Sequence, residues 1–154
     1  MKMLFAILML IFPFYAMAID DSTKSMRISS HGMRLQNERL KIIAENIANA
    51  NVAPLTPAEE PYRRKVVIAK NVYDENIGAN KVVVDKIASD KSDFVLRYEP
   101  YHPAADAEGY VKYPNVDIVL ENVNAKEAQR TYEANLSALE ITKNNQLRLI
   151  DALK

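Results

Sequence analysis

The chain has 154 residues, with 20 basic and 20 acidic side chains and no cysteine. Its length suits one ordinary core, so we expect a single domain or one domain with a small appendage. The balanced charge lacks the basic excess of most nucleic-acid-binding proteins. The lack of cysteine excludes disulfides, thiolate metal ligands and a cysteine nucleophile.

Residues 1–18 resemble a targeting segment. Lys2 precedes an apolar run, and Ala16-Met17-Ala18 has the small-x-small pattern of a signal peptidase site. The run is shorter than the roughly 20 residues of a membrane-spanning helix. Two other interpretations stay open: an uncleaved anchor, and a true start at Met17.

The segment 19–53 is predicted to form a long helix with apolar side chains on two sides. Positions two apart lie on nearly opposite sides of a helix, and a monomer's surface helix usually has one apolar stripe. Two stripes favour a helix packed between neighbours, although a helix inside a monomeric core would also explain them. The two columns, each with a seven-residue repeat, are Met26, Met33, Leu40 and Ile47, and Ile28, Leu35 and Ile42.

The segment 54–114 contains six of the seven prolines and predicts a small β-containing part. Gly78 is expected in the turn between the first two strands, and residues 100–114 are expected to form an irregular loop. The three predicted strands are β-branched or aromatic runs: Val66-Val67-Ile68, Val82-Val83-Val84 and Phe94-Val95-Leu96.

The segment 115–154 contains neither glycine nor proline and predicts a second long helix. A seven-residue repeat along it favours a left-handed coiled-coil seam, with 19–53 as the natural partner. The predicted fold class is therefore α+β, with long N- and C-terminal helices pairing as a coiled coil around a small β-containing middle segment. The repeat contains Ile118, Ala125, Tyr132, Leu139 and Leu153, with Gln146 interrupting it and Val123, Leu136, Leu147 and Ile150 on its flanks.

No residue pattern supports catalysis, a metal site or a cofactor. His31 and His102 lie in different segments, and Asp106 and Glu108 are commoner as turn-forming side chains than as an acid/base pair. The basic run 63–65 would suit an anionic polymer, but a solvated strand start is the commoner explanation. We therefore expect a protein that is not an enzyme.

Four segments resemble bacterial flagellar rod and hook proteins. Residues 44–50 (AENIANA) resemble a segment shared across these axial proteins, and 61–65 (PYRRK) fits related rod proteins. Residues 103–117 (PAADAEGYVKYPNVD) resemble a segment of one proximal-rod member, and 130–136 (RTYEANL) resemble its C-terminal segment. The resemblance covers most of the chain, but family members carry no cleaved signal, so residues 1–16 depart from the family pattern.

The resemblance implies a structural subunit of the flagellar basal-body rod in the periplasm, which self-assembles through its terminal helices and transmits torque. It implies an inner coiled-coil layer built from both helices and an outer part built from the middle segment. The implied partners are the other proximal-rod proteins, the distal-rod protein and the adaptor that joins the rod to the membrane ring. Neither nucleic acid nor a small-molecule substrate is expected.

The expected assembly residues lie in the helix columns and in the shared motifs. Asn46, Asn49 and Asn135 are expected to hydrogen-bond across helices and to fix their register, so Asn46→Leu is expected to disturb assembly more than folding of the monomer. An exposed polar position or a helix-end cap is the alternative for each, and a cap is the favoured interpretation for Asn51. The alternative to a rod subunit is a periplasmic coiled-coil adaptor or binding module, favoured by the signal-like start and the tyrosine-rich loop. The expected assembly residues are Met26, Met33, Leu40, Asn46, Ile47, Asn49, Tyr132, Asn135, Leu136, Leu139 and Ile150.

Overall fold

Two long helices and two small antiparallel sheets make up the chain in the computed structural model, which confirms the α+β class. The structure describes the backbone of residues 2–152 and the side chains of residues 21–152. The signal-like segment 1–18 depends on side chains outside the described residues and stays a prediction. The elements are α1 (Lys2–Asn49), β1 (Lys65–Asp74), β2 (Ala79–Ser89), β3 (Val95–Tyr98), β4 (Tyr110–Tyr113) and α2 (Ile118–Ala152).

The two helices lie side by side and run in opposite directions. A Cβ atom on Gly32 would lie 2.7 Å from the Oδ1 of Asn135, so the backbone of α1 approaches α2 closely there. Further along, the Asn46 Nδ2 donates to the Glu121 Oε2 over 3.1 Å. The step from 32 to 46 on α1 and the step from 135 to 121 on α2 are both fourteen residues. The register is therefore constant between these contacts.

The second helix begins where the sequence supplies a cap. The Asp117 Oδ1 accepts hydrogen bonds from the N–H groups of Val119 (2.8 Å) and Leu120 (3.1 Å). These N–H groups have no partner within the helix, so the carboxylate acts as its N-cap. No helix in the described part of the chain has an apolar stretch long enough to cross a membrane.

The β1–β2 hairpin lies along α1 and sandwiches this helix against α2. Its base lies at Lys65, beside Asn46, and its tip reaches Arg27, whose Nη1 donates to the Asn76 carbonyl over 3.5 Å. About 19 helical residues and a ten-residue strand both span about 30 Å, so the two elements match in length. Gly78 has a φ of +68° in the predicted turn, a conformation that glycine adopts at no steric cost.

The second sheet corrects one prediction. Residues 100–114 were expected to be irregular, but Tyr110–Tyr113 forms β4 and pairs with β3. The side chains of β4 alternate, with Val111 and Tyr113 buried against Ala104. The four residues between Gly109 and Pro114 are too few for the alternation to be noticed in the sequence, and only pairing with β3 makes them a strand.

Candidate functional site

The two helices, the hairpin base and the connector meet at a group of buried and half-buried polar side chains, which we call the polar hub. Its members are Asn46, Tyr62, Arg64, Asp90, Asn115 and Glu121.

Glu121 lies at the centre of the polar hub and is fully buried. Its Oε1 accepts from the Arg64 Nε at 2.8 Å and from the Arg64 Nη2 at 2.6 Å. Its Oε2 accepts from Asn46. A buried carboxylate is tolerated when it is paired with a cation and hydrogen-bonded, and both conditions hold here.

The Asn46 carboxamide connects α1 to the first strand. Its Nδ2 donates to the Lys65 carbonyl and its Oδ1 accepts from the Lys65 N–H, both at 2.9 Å, while the Tyr62 hydroxyl donates to the same Oδ1 at 2.7 Å. Burial, followed by the charges of Glu45 and Glu121, raises the pKa of Tyr62 to about 12. The phenol therefore stays protonated and remains a donor at neutral pH.

Arg64 extends the polar hub to the loop after β2. Its Nη1 donates to the Asp90 Oδ2 at 3.2 Å, and its backbone N–H donates to the Asn115 Oδ1 at 2.8 Å. Hydrogen bonds from Ser92, ahead of those from Arg64, hold the pKa of Asp90 below its usual value. The basic run 63–65 is thus neither a polymer-binding patch nor a solvated strand start, because Arg64 bonds within the chain and Arg63 stacks on Phe94 with a guanidinium–ring distance of 4.0 Å.

The helix–helix contact, here called the seam, is small and polar in its middle. On α1, Ser29, Gly32 and Gln36 are buried, and the Gln36 Oε1 has no hydrogen-bond partner among the described residues. The predicted repeat of α2 faces the seam, and a second column of small or polar residues lies beside it. The seam positions of α2 recur every three or four residues: Ile118, Glu121, Ala125, Ala128, Tyr132, Asn135, Leu139, Thr142, Gln146 and Leu149.

The two apolar columns of α1 have different surroundings. Ile42 and Leu35 are buried, and Ile42 lines a cleft together with Val66 of the hairpin, so these two residues pack inside the chain, whereas Ile28 of the same column is 37% exposed. For Leu35 and Ile42 the alternative of a helix sandwiched within one subunit fits the structure. The other column, which contains Met26, Met33, Leu40 and Ile47, points away from the hairpin and is only half-buried.

Three apolar residues of α2 lie on the side that faces away from the hairpin, whereas the exposed Val123 and Ile141 lie nearer the opposite side. Glu127 lines the cleft with the hairpin, and Leu136 is nine residues, or two and a half turns, further along the helix, on the opposite side. Leu136 and Ile150 are 37% and 42% exposed, and Leu147 is also exposed. We call these three residues, with Met26, Met33, Leu40 and Ile47, the apolar flank.

The three asparagines differ in what they bind. Asn46 makes the expected hydrogen bond across the helices. Asn49 and Asn135 do not make such a bond among the described residues. Their Nδ2 atoms donate to carbonyls on their own helices at 2.8 Å, Asn49 to Glu45 and Asn135 to Thr131. Short amide side chains often bond the carbonyl four residues back in a helix, and this bond occupies one of the two Nδ2–H donors.

Two more of the predicted assembly residues lie in the seam, and one group of residues was missed in the sequence. Tyr132 and Leu139 are half-buried in the seam. Sequence reasoning missed Glu121 and Arg64, because a charged residue near a helix start or a strand start is ordinarily solvated. The quoted motifs around 61–65 and 103–117 contained Arg64 and Asn115 but gave no indication that these two residues meet.

The side chains once considered for acid/base chemistry have structural roles. The Asp106 Oδ1 accepts from the N–H groups of Glu108 and Tyr110, and the His102 Nδ1 accepts from the N–H of Ala104. Within residues 21–152, no group of three or more histidine or acidic side chains could hold a metal ion.

Two protein families match the helical segments. Residues 26–53 match the flagella basal body rod protein family, and residues 107–152 match the C-terminal part of the flagellar basal body rod FlgEFG proteins. The first match covers Asn46 and the part of α1 that faces α2 in the seam. The second match covers β4, Asn115 of the polar hub and α2, which contains Glu121. Paired terminal helices with these matches define the class as axial proteins of the flagellar basal body.

Similarity to individual proteins is stronger. The chain is 40% identical to the flagellar basal-body rod protein FlgC of Agrobacterium fabrum over 136 residues, which cover 88% of this chain and 98% of the relative. It is 37% identical to FlgC of Escherichia coli, with 80% and 91% covered, and 32% identical to FlgC of Bacillus subtilis, with 82% and 95% covered. The chain therefore belongs to the FlgC family, and it is a structural subunit of the flagellar basal-body rod rather than an enzyme.

Proposed function

We propose that α1 and α2 pair as a coiled coil that forms the inner layer of the rod, and that the apolar flank binds neighbouring subunits. The contrast between the seam and the flank supports this proposal. The middle of the seam has Ser29, Gly32 and Gln36, while apolar side chains lie outside it. Apolar area removed from water contributes about 25 cal/mol per Å², so the pair gains most when other helices cover the flank.

In this proposal the segments 19–53 and 115–154 form the inner layer and the segment 54–114 forms the outer part. The neighbours are the other proximal-rod proteins, the distal-rod protein and the adaptor that joins the rod to the membrane ring. A subunit held on several sides carries torque across the periplasm, because force passes through packed helices. The expected assembly residues Tyr132 and Leu139 support the flank from the seam.

The experiment compares a flank residue with an exposed polar residue on the same helix. Leu136→Gln should abolish motility and the incorporation of the chain into basal bodies. The free energy of unfolding of the isolated chain should change by less than about 1 kcal/mol, because the side chain is partly exposed. Ser137→Gln, one position away on an exposed surface, should leave both unchanged. Purified basal bodies that contain the Leu136→Gln chain at the normal level would contradict the role of the flank.

The structure changes the effect that we expect from replacing Asn46. Asn46→Leu was expected to disturb assembly more than folding, but Asn46 bonds Glu121, Tyr62 and Lys65 within one chain. The substitution should therefore lower the stability of the isolated chain as well. Equal stability of Asn46→Leu and the unaltered chain in urea would restore the original expectation.

The second candidate, a periplasmic adaptor or binding module, is favoured by the exposed tyrosines Tyr98, Tyr101 and Tyr110. An adaptor that binds through this loop would tolerate Leu136→Gln and lose function when Tyr101 is replaced. The rod proposal expects the opposite order of effects.

A further inference from the structure

A basic strip runs along the outer side of α1. Arg27, Arg34 and Lys41 recur every seven residues and are exposed, so they lie on one side of the helix. Between this side and the hairpin tip is a cleft of about 360 Å³ that is lined by Arg27, His31 and Arg34. Neither the apolar flank nor the polar hub uses this cleft.

The positive charge of the basic strip is only weakly compensated within the chain. Arg34 makes no ion pair with any residue whose side chain the structure describes, and Lys41 lies 4.0 Å from Glu38 in an exposed pair. The pKa of His31 is lowered by burial and then by the charges of Lys81 and Arg34. Asp74 also lines the cleft, but its carboxylate pairs with Lys81, so the two arginines leave the cleft with a net positive charge at neutral pH.

The opposite charge collects at the other end of the subunit. The segment 99–109 has three acidic residues and no lysine or arginine. The connector lies against it, because Glu59 and Asp106 line one small cleft. We call Glu59, Glu60, Asp106 and Glu108, all exposed, the acidic end. Lys112 lines the same cleft and Arg63 lies 3.9 Å from Glu60, so four carboxylates face two cations and the end keeps a negative charge.

Arg27 and Arg34 of the basic strip lie far from the acidic end of the same copy. Ala50 lies sixteen residues after Arg34, which is about 24 Å along the helix axis. The acidic end lies beyond that point, where Ala53 packs against the cluster of Ala104, Val111 and Tyr113.

We propose that the acidic end of one copy binds the basic strip of a second copy, with Glu108 placed at the cleft of Arg27 and Arg34. This contact joins two different surfaces, and such head-to-tail contacts continue into rings or helical filaments instead of stopping at a dimer. The proposal rests on the proposed rod function and adds to it a contact between copies that the apolar flank does not supply. Complementary charges of this kind select and orient partners.

The test uses charge reversal in the full chain, with self-association measured by sedimentation at low salt. Arg34→Glu and Glu108→Arg should each weaken association about threefold to tenfold, because a favourable rim contact becomes a repulsive one. Lys126→Glu and Glu140→Arg, at exposed positions of α2, make the same charge changes elsewhere and should have little effect. In about 1 M salt, where the Debye length is about 3 Å, the unaltered chain should associate as weakly as the variants.

Restoration distinguishes a direct contact from a general charge effect. A mixture of Arg34→Glu and Glu108→Arg chains, and the chain carrying both substitutions, should regain association. Additive loss in the double variant, no association of the unaltered chain at low salt, or binding of the strip to anionic lipid vesicles independent of Glu108 would each overturn the proposal. If Leu136→Gln still blocks incorporation into basal bodies, the rod proposal survives that failure.

Discussion

The two ends of the helical pair differ in what holds them. At one end, the polar hub joins α1, α2, the connector and the hairpin base through hydrogen bonds and a buried ion pair. At the far end, α2 beyond Leu139 has Thr142, Gln146 and Leu149 in the seam and exposes Leu147 and Ile150. The Thr142 hydroxyl bonds the Ala138 carbonyl of its own helix at 2.8 Å instead of reaching across the seam.

This difference indicates which part of the subunit folds by itself and which part requires neighbours. The polar hub satisfies its polar groups inside one chain, so we expect it to form before assembly. At the far end two of the three described seam positions beyond Leu139 are polar and apolar side chains lie outside the seam, so we expect most of its stabilisation to come from covering the apolar flank. Helices whose apolar faces are uncovered are marginal in water.

The largest expected effect comes from breaking the polar hub. Arg64→Leu leaves the buried Glu121 carboxylate without its cation and should lower the free energy of unfolding by about 3–5 kcal/mol. Arg130→Leu, at an exposed position of α2, should change it by less than about 0.5 kcal/mol. Urea unfolding of both variants measures the difference.

A double variant checks the reason for that loss. Replacing Arg64 and Glu121 together by leucine removes the unpaired charge and should recover most of the stability. If Arg64→Leu unfolds at the same urea concentration as Arg130→Leu, the ion pair does not hold this end.

The middle of the seam gives the next effect. Gly32→Ala places a Cβ atom against Asn135. The strain should lower the free energy of unfolding by about 1–2 kcal/mol. The helix preference of alanine over glycine, about 1 kcal/mol, offsets part of this loss. In the Asn135→Ala background the same change should be neutral or stabilising. A stabilising effect of Gly32→Ala alone, measured by thermal unfolding, would show that the helices do not approach closely here.

The far end should respond to a more apolar seam. Thr142→Leu should stabilise the isolated chain by about 1 kcal/mol, because a half-buried polar side chain becomes apolar. Asn145→Leu, on the exposed side, should give no comparable gain. Equal effects of both substitutions in urea would mean that residue 142 does not face α1.

Acid gives the smallest effect and sharpens the comparison at the other end. The pKa of Asp90 is lowered in the folded chain by hydrogen bonds from Ser92 and then by Arg64. Its contribution is therefore present above its ordinary pKa of about 4 and is lost as pH falls through the lowered value. Unfolding in urea between neutral pH and about pH 3 should show a steeper decline for the unaltered chain than for Asp90→Asn. Parallel declines would remove Asp90 from the account.

The sequence was sufficient for the helices, the first three strands and the turn at Gly78, because periodicity, β-branched runs and glycine act locally. It did not predict β4, whose strand conformation depends on pairing with β3. It also did not predict the polar hub, since Glu121 and Arg64 are 57 positions apart and each would be solvated without the other. Asn46 was identified by its motif and its cross-helix bond was expected, but its bonds to Lys65 were not.

Hydrogen exchange of backbone amides in the free chain, measured along both helices, tests the central claim most directly. We expect amides of α1 near Asn46 and of α2 near Glu121 and Ala128 to exchange at least about a hundredfold more slowly than those beyond Leu139. In assembled rods the two regions should be protected alike. Uniform protection of α2 up to residue 152 in the free chain would contradict the claim that the far end depends on its neighbours.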